Sequence, residues 1–248
     1  MHSIVRRARR AGFALVVALG VATTSAAAQP RLVSNTADAS VTERDVTASN
    51  EKVAQAYGAL VNMWSAKFEQ LGVRFAPPAL LRYRGAVRTS CGVMSGNNAE
   101  SCPTRNAIYF DEVFVARQAT EASRALGTDG DMAAVGIIAH EMGHAVAAQL
   151  DDWSQIPYEN EAAADCLAGA FTEQSAKDGS LEKGDLEEAF FGLAAAGDPT
   201  PQLTGNRRVD SRIQLRMALM GHGTRDQRLG NFKAGYDGGP GACLESFR

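Results

Sequence analysis

The sequence predicts an α+β fold, mainly helical, in one domain with a small sheet and a single buried helix at its centre. Three observations predict it. Apolar residues recur at three- and four-residue spacing over several long stretches, strand-like runs occur only near Leu80 to Arg84 and Ala107 to Phe110, and the run from Met132 to Leu150 is apolar on nearly every side. At 248 residues, 45% of them hydrophobic and with no internal repeat, the chain is long enough for one sizeable core.

The elements follow in order. Residues 1–28 read as an export signal, with Arg6, Arg7, Arg9 and Arg10 as the basic region, Ala11 to Val21 as a short apolar core and Ala26-Ala27-Ala28 as the cleavage site. That core is too short, and its tail through Thr23, Thr24 and Ser25 too polar, for a membrane span, so no stable membrane insertion is expected after cleavage. The protein is expected to be exported, periplasmic or secreted. Losing four arginines takes the formal charge from −3 to −7. A negative chain with no Lys/Arg run outside the signal argues against nucleic acid or an anionic membrane surface as the main partner.

Residues 29–48 are polar and aperiodic and read as a flexible leader ahead of a domain at 49–248. Ser49 or Asn50 is expected to cap a helix whose apolar positions Val53, Tyr57, Leu60, Trp64 and Phe68 form one face until Gly72 stops it. Pro77-Pro78 breaks the chain, a short strand follows at Leu80 to Arg84, then a Cys91 loop, a strand at Ala107 to Phe110 and a helix from about Asp111 to Ala125. Asp129 or Asp131 is expected to cap the central helix, which runs to about Leu150. Further helices are expected from about Asn160 to Gln174, from Leu186 to Ala196 behind a cap at Asp185, and from Asp210 or Ser211 to Met220. The tail from Gly221, beyond the last clear helix, is rich in Gly and aromatic residues.

The central helix carries His140-Glu141-Met142-Gly143-His144. Two histidines four apart project from one helical face about one turn from each other, where both imidazoles reach a single metal ion. Glu141 is rotated about 100° from His140, close enough to hold a metal-bound water without ligating the metal. A catalytic Zn2+ site needs a third protein ligand and an open position. Glu161 is the best candidate, opening a helix 17 residues after His144, a spacing that allows the chain to return antiparallel. Asp165, one turn on, is placed to accept a hydrogen bond from a ligand histidine. The three alanines between them let the two helices approach closely.

Four cysteines, Cys91, Cys102, Cys166 and Cys243, fit two disulfides in an oxidising compartment. Of three possible pairings, Cys91 with Cys102 and Cys166 with Cys243 is preferred. No C-x-x-C spacing supports a thiolate metal site.

The chain also resembles the bacterial neutral zinc metallopeptidases, relatives of gluzincin proteases with a zincin-like domain. The resemblance is carried, in order, by Ser90-Cys91-Gly92, Cys102-Pro103 with Ile108-Tyr109-Phe110-Asp111, the H-E-x-x-H, Glu161 through Asp165-Cys166-Leu167-Ala168-Gly169, Gly184-Asp185-Leu186-Glu187-Glu188-Ala189, and His222-Gly223 with Gln227-Arg228, Phe232, Gly235-Tyr236 and Cys243. It implies zinc on His140, His144 and Glu161 with Glu141 catalytic, and a peptide or protein as substrate. Asn231 stands where the family has an aromatic residue. His222 is either a donor to the oxyanion formed when water attacks a carbonyl or a surface-loop histidine. Arg228 either orients a carboxylate such as Asp165 or Asp111 or forms a surface ion pair. The strand at Ala107 to Phe110 offers either an edge for an extended peptide or a core strand. Two other functions stay open: the same zinc site acting on a cell-wall peptide or another amide, and a metal-stabilised binding protein without turnover.

Overall fold

A computed structural model of the chain describes residues 41–248, so the signal and most of the leader lie outside the described residues. The first helix, α1 (Glu43–Gln70), starts seven or eight residues earlier than a cap at Ser49 or Asn50 would place it. Thr42 is its cap: the Thr42 hydroxyl accepts from the Asp45 N–H, and the Asp45 carboxylate accepts from the Thr42 N–H at 2.7 Å. Ser49 is therefore an interior helix residue. Residues 41–48 are not a flexible leader, because Val41 and Val46 bury themselves against Val113 and Ala116 of the following helix layer. Two valines in a polar stretch have no periodicity; only the packing reveals them.

A three-stranded sheet has the order β1 (Ala79–Tyr83), β5 (Ala107–Asp111), β4 (Ala99–Cys102), with β1 parallel and β4 antiparallel to β5. The strand at Ala107 is thus the interior one, paired on both sides, with β1 and β4 as the two edges. Between β1 and β4 a separate hairpin, β2 (Val87–Thr89) with β3 (Gly92–Met94), carries Cys91 at its turn. A disulfide from Cys91 to Cys102 fastens that turn to β4, and a second joins Cys166 to Cys243.

The strand β5 runs directly into α2 (Glu112–Leu126), capped by the Asp111 carboxylate on the Val113 N–H and closed by Gly127 in the left-handed region. Then α3 (Asp131–Gln149) crosses the middle of the molecule, with nearly every residue from Met132 to Ala147 buried. Neither Asp129 nor Asp131 caps it. The cap is Gly130, and the carboxylate of Glu188 accepts from the Gly130 and Met132 N–H groups at 2.9 Å each, a negative charge at the positive end of the helix. Glu188 belongs to α5 (Asp185–Ala195), which packs along α3 opposite α4 (Pro157–Lys177). An Asn206-capped helix, α6 (Arg207–Met220), buries none of its residues.

The Gly-rich tail adds one more helix. It forms α7 (Arg225–Gly238), opened by a capping box between Thr224 and Gln227. It lies on α4 so closely that a Cβ on Gly235 would sit 1.7 Å from the Cys166 carbonyl oxygen, and one on Gly169 would sit 2.0 Å from that of Phe232. Among the described residues no helix is long and apolar enough to cross a membrane.

Candidate metal centre and active site

On α3 the rings of His140 and His144 lie 4.7 Å apart and nearly perpendicular, as four-residue spacing requires. What brings α4 over them is Gly143, where a Cβ would fall 2.9 Å from both Cα and O of Ala164. Only glycine permits that approach. Glu161 then reaches between the imidazoles, with one carboxylate oxygen 3.2 Å from His140 Nε2 and the other 3.4 Å from His144 Nε2. The three residues offer ligand atoms all within 4.8 Å of one another.

These separations suit a metal. With ligand bonds of about 2.1 Å around a tetrahedral centre, donor atoms sit about 3.4 Å apart. The Glu161 Oε2 atom is buried without a hydrogen-bond partner, although His140 Nε2 is near it. Lone pairs converging on a shared point leave that signature, and a buried carboxylate oxygen with no donor is otherwise expensive.

A second layer fixes His140. Its Nδ1 lies 2.8 Å from the Asp165 carboxylate, which places a proton on Nδ1 and turns Nε2 toward Glu161. Asp165 is fully buried and grips Arg228 of α7 with both oxygens, at 2.6 Å from Nη2 and 3.1 Å from Nε, while Nη1 donates to the Ala196 carbonyl. Arg228 is thus a buried partner of Asp165. It does not meet Asp111, which caps α2 and accepts the Asn97 N–H instead.

The electrostatics favour positive charge here. Burial pulls the His140 pKa down, but the adjacent carboxylates of Asp165 and Glu161 outweigh it and push it up to about 10. Burial opposes ionisation of Glu161, yet His140 and His144 hold it well below the usual carboxylate range. A proton on His140 and a bound cation answer the same demand.

Glu141 stands apart from this trio and faces the edge strand, where its carboxylate accepts the Ser101 N–H at 2.7 Å. His140, Glu141, His144, Glu161 and Arg228 open onto one cavity of about 580 Å³ between α3, α5 and β4, while Asp165 stays buried behind them. His222 lies exposed at its border, and Trp153 stands 5.9 Å from the His144 ring. Glu100 on β4 shares the cavity, its carboxyl raised by burial first and by the Glu141 charge second. Sequence reasoning missed Trp153 and the Ser101 amide. A lone tryptophan in the polar stretch Asp151 to Ser154 was the available signal for the first; a backbone donor leaves none.

Comparison with known proteins bears on this geometry. The family model described as "Putative neutral zinc metallopeptidase" matches residues 8–247. Two curated relatives, each named "Uncharacterized protein YpfJ", come from Escherichia coli strain K12 and Escherichia coli O6:H1 strain CFT073. Each is 34% identical over 202 residues, covering 74% of this chain and 66% of the relative. The chain therefore spans just under two thirds of the length of the curated relatives it matches. No solved structure matches it significantly.

Proposed function

The chain belongs to the neutral zinc metallopeptidase family, and from that premise we propose that it is a zinc-dependent endopeptidase acting on peptides or proteins outside the cytoplasm. The observation that carries the reading is the placement of Glu161 against both imidazoles. His140, His144 and Glu161 would hold the ion, and the cavity leaves its remaining side open. Bound there, zinc supplies Lewis acidity and lowers the pKa of a coordinated water to about 7.

The chain's own residues do the rest. Glu141, steadied by the Ser101 N–H, takes the proton of the attacking water as general base and passes it to the leaving amine. Asp165, backed by Arg228, keeps His140 in one tautomer and one orientation. His222 offers a hydrogen bond to the oxyanion. The two disulfides, one of them beside Ser101, support an oxidising compartment and export by the signal at 1–28, with residues 41–248 as one domain.

The decisive measurement is peptide hydrolysis and metal content of Glu141→Gln and His222→Ala beside the native chain. Glu141→Gln is expected to keep one zinc per chain and lose at least about a hundredfold in kcat; native-level turnover in that variant sinks the mechanism. His222→Ala is expected to lower kcat at constant zinc content, and unchanged kinetics remove it from the site.

A further inference from the structure

The cavity continues past the histidines, along α3 toward its N-terminus. Ala133, Gly136 and His140 recur at three and four residues on the side of α3 that lines it, covering about 10 Å of helix. The facing wall is one side of α5, formed by Ala189, Gly192 and Leu193 with Ala196 at its C-terminal cap, and Phe114 of α2 lines the same cavity. Apart from His140, no ionisable side chain stands among these residues.

The two glycines differ in kind. A Cβ on Gly192 would meet Ala133 at 3.3 Å, so that glycine serves the contact between α5 and α3. A Cβ on Gly136 would meet nothing within 4 Å, and its φ is not positive. Neither packing nor backbone geometry requires glycine there, and inside a helix it is less stable than alanine. The space its side chain would fill is the cavity, one turn before His140.

We propose that this stretch is a specificity subsite for a bulky apolar side chain on the peptide residue beside the scissile bond, and that Gly136 sets its depth. It rests on the peptidase reading and gives it a substrate class: peptides with a leucine-like or phenylalanine-like residue next to the cut. The walls are apolar and already formed, as such pockets usually are. Burying a large side chain there favours it over alanine by tenfold or more, the discrimination an apolar pocket gives. Filling the floor reverses the preference.

The test uses the zinc-loaded chain and paired peptides that differ only in phenylalanine or alanine at each position flanking the cut. The native protein is expected to show a kcat/KM ratio of at least ten for phenylalanine at one of them. In Gly136→Val that ratio falls at least tenfold at unchanged zinc content, and in Gly136→Ala, which keeps the helix, about threefold. Saturation-transfer NMR with N-acetylphenylalaninamide and N-acetylalaninamide gives a second readout, in which the native chain binds the first and Gly136→Val does not. Turnover without an apolar preference, or a ratio unmoved in either zinc-loaded variant, overturns the subsite and leaves the peptidase reading standing. No turnover on any peptide, with phenylalaninamide binding abolished by Gly136→Val, overturns the peptidase reading and keeps the apolar pocket. Absence of both turnover and binding overturns both.

Discussion

His140 is held from two directions, and the two hold it for different reasons. Glu161 meets Nε2 where an ion would sit, while Asp165 takes the Nδ1 proton and is itself anchored by Arg228. Asp165→Asn is therefore expected to weaken zinc binding by about ten- to a hundredfold, read by competition with a chromogenic chelator; an unaltered dissociation constant would make Asp165 a packing residue only. A second carboxylate gives a pH-dependent expectation. Burial pushes the Asp185 carboxyl up to about 6 from 3.8, the Glu182 N–H pulls it back, and the charges of Asp131, Glu188 and Asp129 raise it further. Because the folded state keeps the proton that the unfolded chain releases near 3.8, its contribution to stability is full below that pH. It is lost as pH rises through about 6. Urea denaturation of the native chain and Asp185→Asn should thus show the native chain gaining on the variant between pH 7 and pH 4. A constant difference across that range contradicts the shift. At this scale the sequence is informative only where partners are local: His140 and His144 declare themselves four residues apart, whereas Glu188 caps α3 from 58 residues away.

Between elements, the distances are set by glycine. Gly143 admits Ala164 and so admits Glu161; Gly169 and Gly235 let α4 and α7 touch backbone to backbone and so bring Arg228 to Asp165. Gly235→Ala is expected to destabilise the protein by about 1–3 kcal/mol or more, since the added methyl has no room, and to loosen zinc binding through the displaced Arg228. Calorimetry with metal analysis checks both, and a melting temperature equal to the native one would show that the crossing yields at little cost. The same glycines explain why α7 was illegible. Gly230, Gly235 and Gly238 read as breakers by propensity, and only the Thr224–Gln227 capping box spoke for a helix. In β4 the polar run Ala99-Glu100-Ser101 is a strand through its pairing with β5, which local propensity does not register. By contrast α1, α3 and β5 were legible, because each buries a face, or all faces, with its own regular period.

For the whole molecule, the two disulfides differ in what they restrain. Cys166 and Cys243 are 77 residues apart and Cys91 and Cys102 only 11. By loop-closure entropy, opening the first should cost about 4–5 kcal/mol and the second about 3. Paired serine variants measured by urea denaturation should rank in that order, and the reverse ranking would place the effect in native contacts. The second pair should also lower kcat, since Cys102 follows the residue whose amide holds Glu141. The mainly helical fold was readable because it follows from periodicity, and the juxtaposition of His140 with His144 because it follows from one short spacing. The position of the N-terminal boundary was not, because it depends on Val41 and Val46 finding α2.

The pairing of Arg228 with Asp165 joins residues 63 positions apart, with the guanidinium on the last helix of the chain. During synthesis α3 and α4 emerge first, and Asp165 then lacks the Arg228 counter-charge it is buried with. A buried carboxylate without one is among the costlier defects a fold can carry. The order of emergence therefore delays the closing of the candidate site until α7 docks, and a chain halted before Arg225 would hold His140, His144 and Glu161 yet lack the clamp that orients His140.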